Sequence, residues 1–468
     1  MKYYNISWIL LFAITLFGCE SYVNIKTQGS LVPEEIDNYR YLLNNTSELE
    51  VGPQLPNIAS DDVQLVDGTN QVNDLSSSEY YGYWLKTYTW QSEIYPLGYY
   101  QDDYNWSSMY NTITYANVVI TEVPSSTGGT DATKNELIAE ALVHRADAYL
   151  MLVNMYSKPY NSATSSSDLG VPLILTETTT QSLKRPPIES VYQQIINDLN
   201  TALPNLPSSQ NYNTLPSKVS AFGELARTYL CMSNYKQANL YADSALTYRS
   251  TLDDLSTITT ISSQNYPLRI YDPEILLSKI AYGGISANST LAMRLSDSLL
   301  SLLGTKDKRY TLFTAADSTI DSQLSDAGGR YFYRDKVLDE TRNIGPSVPE
   351  MMLIKAEYYA RTGSYNLAMD WVNKLRQKRF ASDDYTALTA SDSNDALKKV
   401  IDERHREFFC RMLRWWDMRR LKDDPLFTET VTRTINGTQY TLDASSNRYV
   451  FPISTYQIQL NPEMEQNP

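Results

Sequence analysis

The feature that most constrains the fold is a helical pattern of small and aromatic residues that occurs twice. Within residues 220–246 the pattern includes Ala226, Tyr229 and Ala238, and within residues 353–375 it includes Ala356 and Tyr359. Small residues let two antiparallel helices approach closely, and an aromatic ring fills the groove beside them, as in tetratricopeptide helix–turn–helix units. Ala356 follows Ala226 by 130 residues, so large insertions must separate the units.

Apolar periodicity elsewhere predicts more helix than strand. Residues spaced three and four apart predict helices over about 135–155 and 394–421, and another that ends before Pro204. Strand patterns are short, and the candidates are Ile275–Ala281, Tyr331–Tyr333, Thr432–Ile435 and Arg448–Pro452, with a type I′ turn at Asn436-Gly437. We therefore predict a mostly α fold, in which tetratricopeptide-like helix–turn–helix units scaffold long irregular insertions with a few short strands.

Charge and composition exclude several classes of protein. The net charge is −14, from 40 Lys and Arg against 54 Asp and Glu, and an acidic chain is repelled by phosphate, so we expect no nucleic-acid partner. Two His and three Cys in the whole chain exclude His-rich metal sites and a disulfide scaffold. Cys231 and Cys410 lie in apolar helical patterns, which predicts two buried free thiols.

The N-terminus has the pattern of a targeting segment. Residues 1–18 combine an early Lys with a ten-residue apolar run and a small Gly18, and Cys19 follows directly. That run is too short to span a bilayer, so it predicts a secretory signal peptide. The position of Cys19 favours lipidation of this residue over the alternative, an ordinary cleaved signal with an incidental Cys. Acyl chains on Cys19 would anchor the chain to a membrane.

An aromatic-rich segment is the main candidate for ligand binding. Residues 80–115 contain ten Tyr and three Trp, in a chain of 37 Tyr and 10 Phe. Sugar rings stack on aromatic planes while their hydroxyl groups need polar partners, and tyrosine offers both. The rings before Trp106 surround Pro96 and Gly98, where we expect a surface segment. The candidate ligand-binding residues are Trp84, Tyr88, Trp90, Tyr95, Tyr99, Tyr100 and Asp102, with packing in a local cluster as the alternative.

Other clusters favour structural roles. Trp415, Trp416 and Asp417 end a long amphipathic helix, which indicates a buried stacking and ion-pair hub rather than a ligand site. Glu403 and Glu407 lie one turn apart, like the carboxylates of a hydrolase, but Arg residues surround them, so ion pairing is the favoured role.

The chain also lacks the sequence signs of catalysis and of metal binding. None of the motifs GxSxG, HExxH, GxGxxG or GxxxxGK[ST] occurs. The acidic pairs Asp102-Asp103, Asp253-Asp254 and Asp383-Asp384 offer oxygen ligands for calcium, but none has EF-hand spacing. We therefore expect no catalytic residues, no metal site and no cofactor.

Short motifs occur in a fixed order along the chain. They begin with the residues that end at Cys19, Leu16-Phe17-Gly18-Cys19, which have the pattern of a lipidation box. The most distinctive are Arg414–Arg420, with the sequence RWWDMRR, and the ending Phe451-Pro452-Ile453. The others are Trp106–Ile113, Ala116-Asn117, Glu140-Ala141, Arg145-Ala146, Tyr149, Leu169–Leu173, Arg185-Pro186, Val191-Tyr192, Ile195, Asp198-Leu199, Leu203-Pro204, Ala356-Glu357, Asn373, Leu375-Arg376, Glu403-Arg404, Glu407, Asn461-Pro462 and Gln466–Pro468. Together these motifs resemble the SusD/RagB family of outer-membrane nutrient-binding lipoproteins. The sequence departs from the family pattern at Arg411-Met412 and Ser454, and it lacks a final Gly-Tyr.

The resemblance implies a fold, a partner and a location. It implies four tetratricopeptide-like units and a single ligand-binding domain over residues 19–468, with an N-terminal part over about 19–216 and a C-terminal part over about 217–468. It also implies a non-catalytic lipoprotein, anchored at the outer-membrane surface, that binds oligosaccharides and delivers them to a SusC-like TonB-dependent barrel. The alternatives left open are a peptide-binding member of the family, a glycan hydrolase and a tetratricopeptide-type adaptor.

Overall fold

The computed structural model describes residues 34–95, 103–177, 181–281 and 289–468. Helices dominate these residues, and the strands are short and form only two-stranded pairs. The helices are α1 Ile36–Leu43, α2 Thr46–Leu49, α3 Leu55–Ala59, α4 Asn70–Ser77, α5 Gly82–Tyr88, α6 Tyr104–Glu122, α7 Asp131–Tyr156, α8 Ile188–Ala202, α9 Lys218–Cys231, α10 Tyr235–Tyr248, α11 Asp297–Leu303, α12 Lys308–Phe313, α13 Asp317–Ile320, α14 Arg334–Leu338, α15 Val348–Arg361, α16 Tyr365–Arg376, α17 Ser393–Phe408, α18 Leu413–Leu421 and α19 Thr455–Leu460. The strands are β1 Val51–Gly52, β2 Ile280–Ala281, β3 Thr314–Ala316, β4 Arg330–Phe332, β5 Val431–Ile435 and β6 Thr438–Leu442.

The two repeated sequence patterns form paired helices, as predicted. Short turns join α9 to α10 and α15 to α16, and the two pairs pack together through α10 and α15. Ala226, Ala238 and Ala356 are fully buried where the helices meet. Tyr229 is half-buried and stacks on Tyr241, with 5.5 Å between the ring centroids. Close approach of helices through small residues therefore builds this tetratricopeptide-like scaffold.

A third group of helices surrounds α7. The predicted helix over about 135–155 is observed as Asp131–Tyr156, and every residue from Ala139 onward is buried. It packs between α6 and α8, so from Ala139 onward it is buried on all sides rather than on one face, and Glu140, Arg145 and Asp147 are among its buried residues. The end of α7 also meets the C-terminal segment, because Phe451 N–H donates to the Met155 carbonyl at 2.9 Å.

The strand predictions were correct in two places and wrong in two. The hairpin of β5 and β6 turns at Asn436-Gly437 with φ of +50° and +71°, as a type I′ turn requires, and Tyr331–Tyr333 overlaps β4. Arg448–Pro452 forms a 3₁₀ turn at Asn447–Tyr449 instead of a strand, since its backbone bonds to α7. A strand was predicted over Ile275–Ala281, but only its last two residues, Ile280–Ala281, form one, and they pair in parallel with β1.

The predicted helix over 394–421 is broken into α17 and α18. The break falls at 409–412, where Cys410 and Met412 have φ of +56° and +63°. Contacts with a distant part of the chain hold this backbone, because Cys410 N–H donates to the Asp62 carboxylate at 2.8 Å and Met412 N–H donates to Asn57. His405 lies against the same Asp62 carboxylate at 2.8 Å. Tertiary hydrogen bonds thus override a periodicity that continues across the break.

Both remaining cysteines are free and buried, as the apolar patterns around them predict. Burial raises the pKa of the Cys231 thiol to about 12. This thiol is therefore protonated and unreactive at neutral pH.

Candidate functional site

The first three rings of the aromatic-rich segment lie in the core. Trp84, Tyr88 and Trp90 are only 3%, 3% and 6% exposed. The expectation that this part of the segment runs over the surface is therefore wrong. Trp84 and Tyr88 are four residues apart on α5, so they share its buried face. Trp90 follows the helix with φ of +51°, a strained backbone for a bulky residue that tight packing of the indole maintains.

Arg433 of β5 explains why these rings are buried together. Its guanidinium lies 3.9 Å from the ring centroid of Tyr88 and 4.1 Å from that of Trp90. The same guanidinium donates to the backbone carbonyls of Tyr88 and Ser60, and the Trp90 indole N–H donates to the Ala59 carbonyl at 2.9 Å. Stacked cation–π contacts of this kind are strong when desolvated. Tyr88 and Trp90 thus connect α5 to α3 and β5, and a ligand role for the three rings stays a prediction.

Tyr95 bonds to residues at the ends of two long helices. Its hydroxyl donates to the Asp103 carboxylate, which also accepts from the Tyr156 hydroxyl at the end of α7. Asp103 caps α6 by accepting from Asn105 N–H at 3.0 Å. Burial raises the pKa of Asp103 despite these donors. The predicted ligand residues Tyr99, Tyr100 and Asp102 lie outside the described residues.

Four tyrosines on either side of residues 96–102 reach the surface. Tyr80 and Tyr104 are 51% and 46% exposed, and Tyr81 and Tyr83 are half-buried. Tyr80 and Tyr81 pack edge to face, with 4.6 Å between the ring centroids. Burial, with the negative charge of Asp103 among the smaller causes, raises the pKa of Tyr83 to about 12, so its hydroxyl stays protonated. We call Tyr80, Tyr81, Tyr83 and Tyr104 the tyrosine surface.

A cleft of about 400 Å³ opens beside the tyrosine surface. Its wall includes Glu79 and Gly82, the chain neighbours of Tyr80 and Tyr81, together with Gln91. Asn436 and Tyr440 of the β5–β6 hairpin form the opposite side. Exposed rings next to carboxylate, amide and hydroxyl groups are the combination that binds a sugar, through stacking on its C–H face and hydrogen bonds to its hydroxyls.

A larger cleft of about 710 Å³ lies elsewhere, at the end of α18. Its rings are already engaged, because Tyr449 stacks on Trp415 at 5.5 Å and Tyr160 packs on a neighbouring ring at 5.1 Å. Two of its cations, Lys158 and Arg420, are engaged in ion pairs of 2.8 and 2.7 Å. Because Tyr80 and Tyr104 are about half exposed, we take the smaller cleft beside the tyrosine surface as the better candidate for stacking a ligand.

Sequence reasoning placed on the surface three rings of the segment that the structure buries, and their ligand role stays a prediction. It chose Trp84, Tyr88 and Trp90 and passed over Tyr80 and Tyr104. The spacing of four between Trp84 and Tyr88 on α5 was the available signal, because it marks a face that packs inward. No sequence signal identified Arg433, which is 345 residues from the Tyr88 carbonyl that it contacts.

The carboxylate pair of α17 is neutralised, as predicted, although its main partners are distant Arg residues. Arg309 bonds Glu403 and Glu407 at 2.7 and 2.6 Å, and Arg379 bonds Glu407 at 2.8 Å. Burial alone would raise the pKa of Glu407, but these guanidiniums outweigh it and bring the pKa down to about 2. A carboxylate this acidic is a poor proton donor at neutral pH.

The tryptophan cluster of α18 is a structural hub, as the sequence indicates. Trp415 is fully buried and stacks on Tyr449. Asp417 pairs with Arg404 at 2.9 Å and with Arg420 at 2.8 Å. Burial would raise the pKa of Asp417, but the two guanidiniums lower it to about 2. These contacts close α18 onto α17 and leave no exposed ring face for a ligand.

Two groups of acidic residues in the described part of the chain have oxygens close enough to share a cation. In the first, Asp61 pairs with Arg414 at 2.6 Å and Asp62 accepts from His405, so its ligand atoms are already used. In the second, Asp253, Asp272 and Glu274 meet next to Arg379. Burial and repulsion from Glu274 and Asp272 raise the pKa of Asp253 to about 8.

Two family models match the chain. One, described as "Starch-binding associating with outer membrane", covers residues 28–230. The other, described as "SusD family", covers residues 349–468. The two matched ranges include α5, α6 and the tyrosine surface in the first and α15 to α19 in the second.

Named relatives agree with these matches. A SusD-like protein of Bacteroides ovatus is 35% identical over 137 residues, which is 28% of this chain and 22% of that protein. SusD-like protein P2 of Formosa agariphila is 26% identical over 371 residues, which is 68% of this chain and 71% of that protein. The chain thus matches less than a quarter of the length of the first relative and about seven tenths of the second.

Solved structures share the fold at low sequence identity. A SusD superfamily protein of Bacteroides thetaiotaomicron superposes with a TM-score of 0.70 at 19% identity, over 93% of this chain and all of that one. A crystal structure described as a putative sugar binding protein of Bacteroides vulgatus gives 0.68 at 19%, over 93% and 98%. A laminarin-binding SusD-like protein gives 0.63 at 18%, over 93% and 99%.

Proposed function

The chain belongs to the SusD/RagB family, and from this we propose that it is a surface-exposed outer-membrane lipoprotein that binds oligosaccharides and delivers them to a SusC-like TonB-dependent barrel. The family description places its members in association with the outer membrane. Proteins of the same fold include one named for laminarin binding and one for sugar binding. These names support a carbohydrate ligand for this chain.

The observation that carries the proposal is the tyrosine surface with its adjoining cleft. Large apolar rings that remain exposed in a folded protein commonly mark a recognition site. Glu79 and Gly82, the chain neighbours of Tyr80 and Tyr81, line a cleft in which Glu79, Gln91 and Asn436 offer hydrogen-bonding groups. A pyranose ring needs both kinds of contact, so the surface matches an oligosaccharide better than it matches a wholly polar or wholly apolar ligand.

Binding without turnover is part of the proposal. Glu403 and Glu407 are both buried in ion pairs with Arg309. A glycosidase needs one carboxyl group that can donate a proton and one that can reach the sugar, and this pair offers neither. The purified protein should therefore release no sugar from a glycan that it binds. Reducing-end assays after prolonged incubation test this, and turnover abolished by Glu403→Gln or Glu407→Gln would overturn it.

The proposed anchor is Cys19, which lies outside the described residues. No helix in the described ranges is both long and apolar enough to cross a bilayer. Cys19→Ala should release the protein from the membrane fraction or leave an uncleaved precursor, because acyl chains would supply the membrane affinity. Unchanged fractionation of this variant would rule out the lipid anchor.

Affinity electrophoresis in native gels that contain laminarin or soluble starch tests the binding site. The wild-type chain should be retarded by at least one of these glycans. The double variant Tyr80→Ala/Tyr104→Ala should lose most of the retardation, because stacking area is concentrated in few rings. Its melting temperature should stay close to that of the wild type, since both rings are about half exposed.

Tyr248→Ala is the matched control, because Tyr248 is 49% exposed on α10, a helix that the tyrosine surface does not include. This variant should be retarded like the wild type. Equal retardation of all three proteins would place glycan binding elsewhere. Retardation by none of the glycans, with binding to casein peptides instead, would favour the peptide-binding alternative.

A further inference from the structure

A second pair of exposed rings lies on loops outside the tyrosine surface. Tyr212, between α8 and α9, and Tyr271, between α10 and β2, are 44% and 57% exposed. Their ring centroids are 5.5 Å apart with an interplanar angle of 46°. The two rings form one apolar platform that faces solvent.

Asn213 holds the platform rigid. Its N–H donates to the Ile270 carbonyl at 2.9 Å, and its carbonyl accepts from Ser278 N–H at 2.7 Å. Its side-chain amide donates to the carbonyls of Arg269 and Asp272 at 2.9 and 2.8 Å. Because the residue next to Tyr212 is bonded on every side to the loop that carries Tyr271, the two rings need little ordering when a ligand binds.

Tyr212 is also one wall of a cleft of about 450 Å³. The other walls are Arg40 and Asn44 at the end of α1, Glu136 at the start of α7, and Gln210. Neither Asn44 nor Glu136 makes a side-chain hydrogen bond within the described ranges, so both keep polar groups for a ligand. The volume is in the lower part of the range for small-molecule sites and accommodates roughly two sugar rings.

The charges of this cleft specify what it accepts. Arg40 is already paired with Glu140, to which it donates two hydrogen bonds of 2.7 and 2.8 Å. Glu136 adds a carboxylate without a counter-ion of its own in the cleft. An anionic sugar would meet that carboxylate without a free cation to offset it, whereas hydroxyl groups can donate to Glu136 and Asn44.

We propose that the Tyr212–Tyr271 platform and the adjoining cleft form a second binding site for uncharged oligosaccharides, using none of the residues of the tyrosine surface. The inference takes its ligand class from the proposed function. Its position comes from the geometry alone: a fixed aromatic pair, a cleft of matching size, and polar groups without intramolecular partners. Two such sites on one chain would raise the avidity for a long polysaccharide above that of either site.

Affinity electrophoresis with laminarin and with soluble starch tests the second site. Tyr212→Ala/Tyr271→Ala should lower the retardation constant several-fold in the glycan that retards the wild type. Asn44→Ala, on the opposite wall of the cleft, should weaken retardation as well, and it leaves the rings intact. Both variants should melt close to the wild type, and Tyr248→Ala, an exposed ring on α10, should change nothing.

A change of charge tests the predicted specificity independently of folding. Glu136→Lys should introduce retardation by polygalacturonate, a polyanionic glycan that the wild-type cleft repels. If the wild type is retarded but the platform variant and Asn44→Ala behave like Tyr248→Ala, the second site is wrong and the proposed function stands. If no glycan retards the wild type, both the second site and the proposed function are wrong.

Discussion

At Arg433 a single buried guanidinium holds together three parts of the chain that are far apart in sequence. It stacks on Tyr88 and Trp90 and bonds carbonyls next to α3. Burial lowers its pKa to about 10, which leaves it charged at neutral pH. Arginine suits this position because its planar, weakly hydrated guanidinium can stack and donate at the same time.

The first prediction concerns Trp90. Trp90→Ala should destabilise the protein by about 3–5 kcal/mol, since it removes a large buried side chain and leaves a cavity beside Arg433. Tyr80→Ala, in the same segment but exposed, should leave the unfolding free energy nearly unchanged. Urea unfolding followed by circular dichroism measures both. A stable Trp90→Ala protein with weakened glycan binding would instead restore the ligand role that the sequence suggested for this ring.

The second prediction concerns pH and the group around Asp253. Burial and repulsion from Glu274 and Asp272 outweigh Arg379 and Arg334, and raise the pKa of Asp253 to about 8. Burial and repulsion from Glu407 and Asp272 outweigh Arg379 and raise the pKa of Glu274 to about 7. A carboxyl with a folded-state pKa above its unfolded value favours folding when protonated. Its contribution is complete below about pH 4 and is lost as pH rises toward 8.

Asp253→Asn should therefore change the pH profile of stability. The amide cannot ionise, so the melting temperature of the variant relative to the wild type should rise between pH 5 and pH 9. Thermal scans at several pH values measure this difference. A constant offset across that range would show that Asp253 is ionised in the folded state throughout.

At the scale of elements, the helices were predictable because each has its own periodicity, and the interruptions were not. The register of α7, α9 and α15 follows from local spacing alone. The break between α17 and α18 depends on Asn57 and Asp62, about 350 residues earlier in the chain. No local pattern contains that information, and the same holds for Arg309 and Arg379 as partners of α17.

The third prediction tests the ion-pair network between α12 and α17. Arg309→Met would leave Asp307, Glu403 and Glu407 buried without their shared cation, so it should cost about 3–5 kcal/mol of stability. Lys399→Met is the matched control, since Lys399 pairs with Asp395 at 2.7 Å on the exposed face of α17. This control should melt with the wild type.

Chemical denaturation of both variants and the wild type gives the comparison. A loss that is equally small for Arg309→Met and Lys399→Met would mean that water or relaxation compensates the three carboxylates. The network would then be a solvated surface feature rather than a part of the core.

For the whole molecule, we propose that residues 19–468 form one domain. Two sets of contacts join the N-terminal part, about 19–216, to the C-terminal part, about 217–468. Strand β1 of the first pairs with β2 of the second, and Asp62 of the first contacts His405 and Cys410 of the second. Lys279, fully buried, bonds the Leu49 carbonyl at 2.6 Å and Asp147 at 2.9 Å. Each part would expose these buried charged groups if separated from the other.

The fourth prediction follows from these contacts between the two parts of the chain. A fragment of residues 19–216 expressed alone should lack a cooperative thermal transition, because α3 and α7 lose the partners that bury them. Limited proteolysis of the intact protein should not release a stable fragment cut near residue 216. A fragment that melts cooperatively, with the amide dispersion of a folded protein, would show that the two parts are separate domains.

The contacts of Asp62 have a consequence for the order in which the newly made chain can fold. Its partners His405 and Cys410 lie 343 and 348 residues later, so they leave the ribosome long after Asp62 does. Until then α3 can contact α5 but lacks the partners that the C-terminal part supplies. The α3 region therefore completes its packing only after nearly the whole chain has been synthesised.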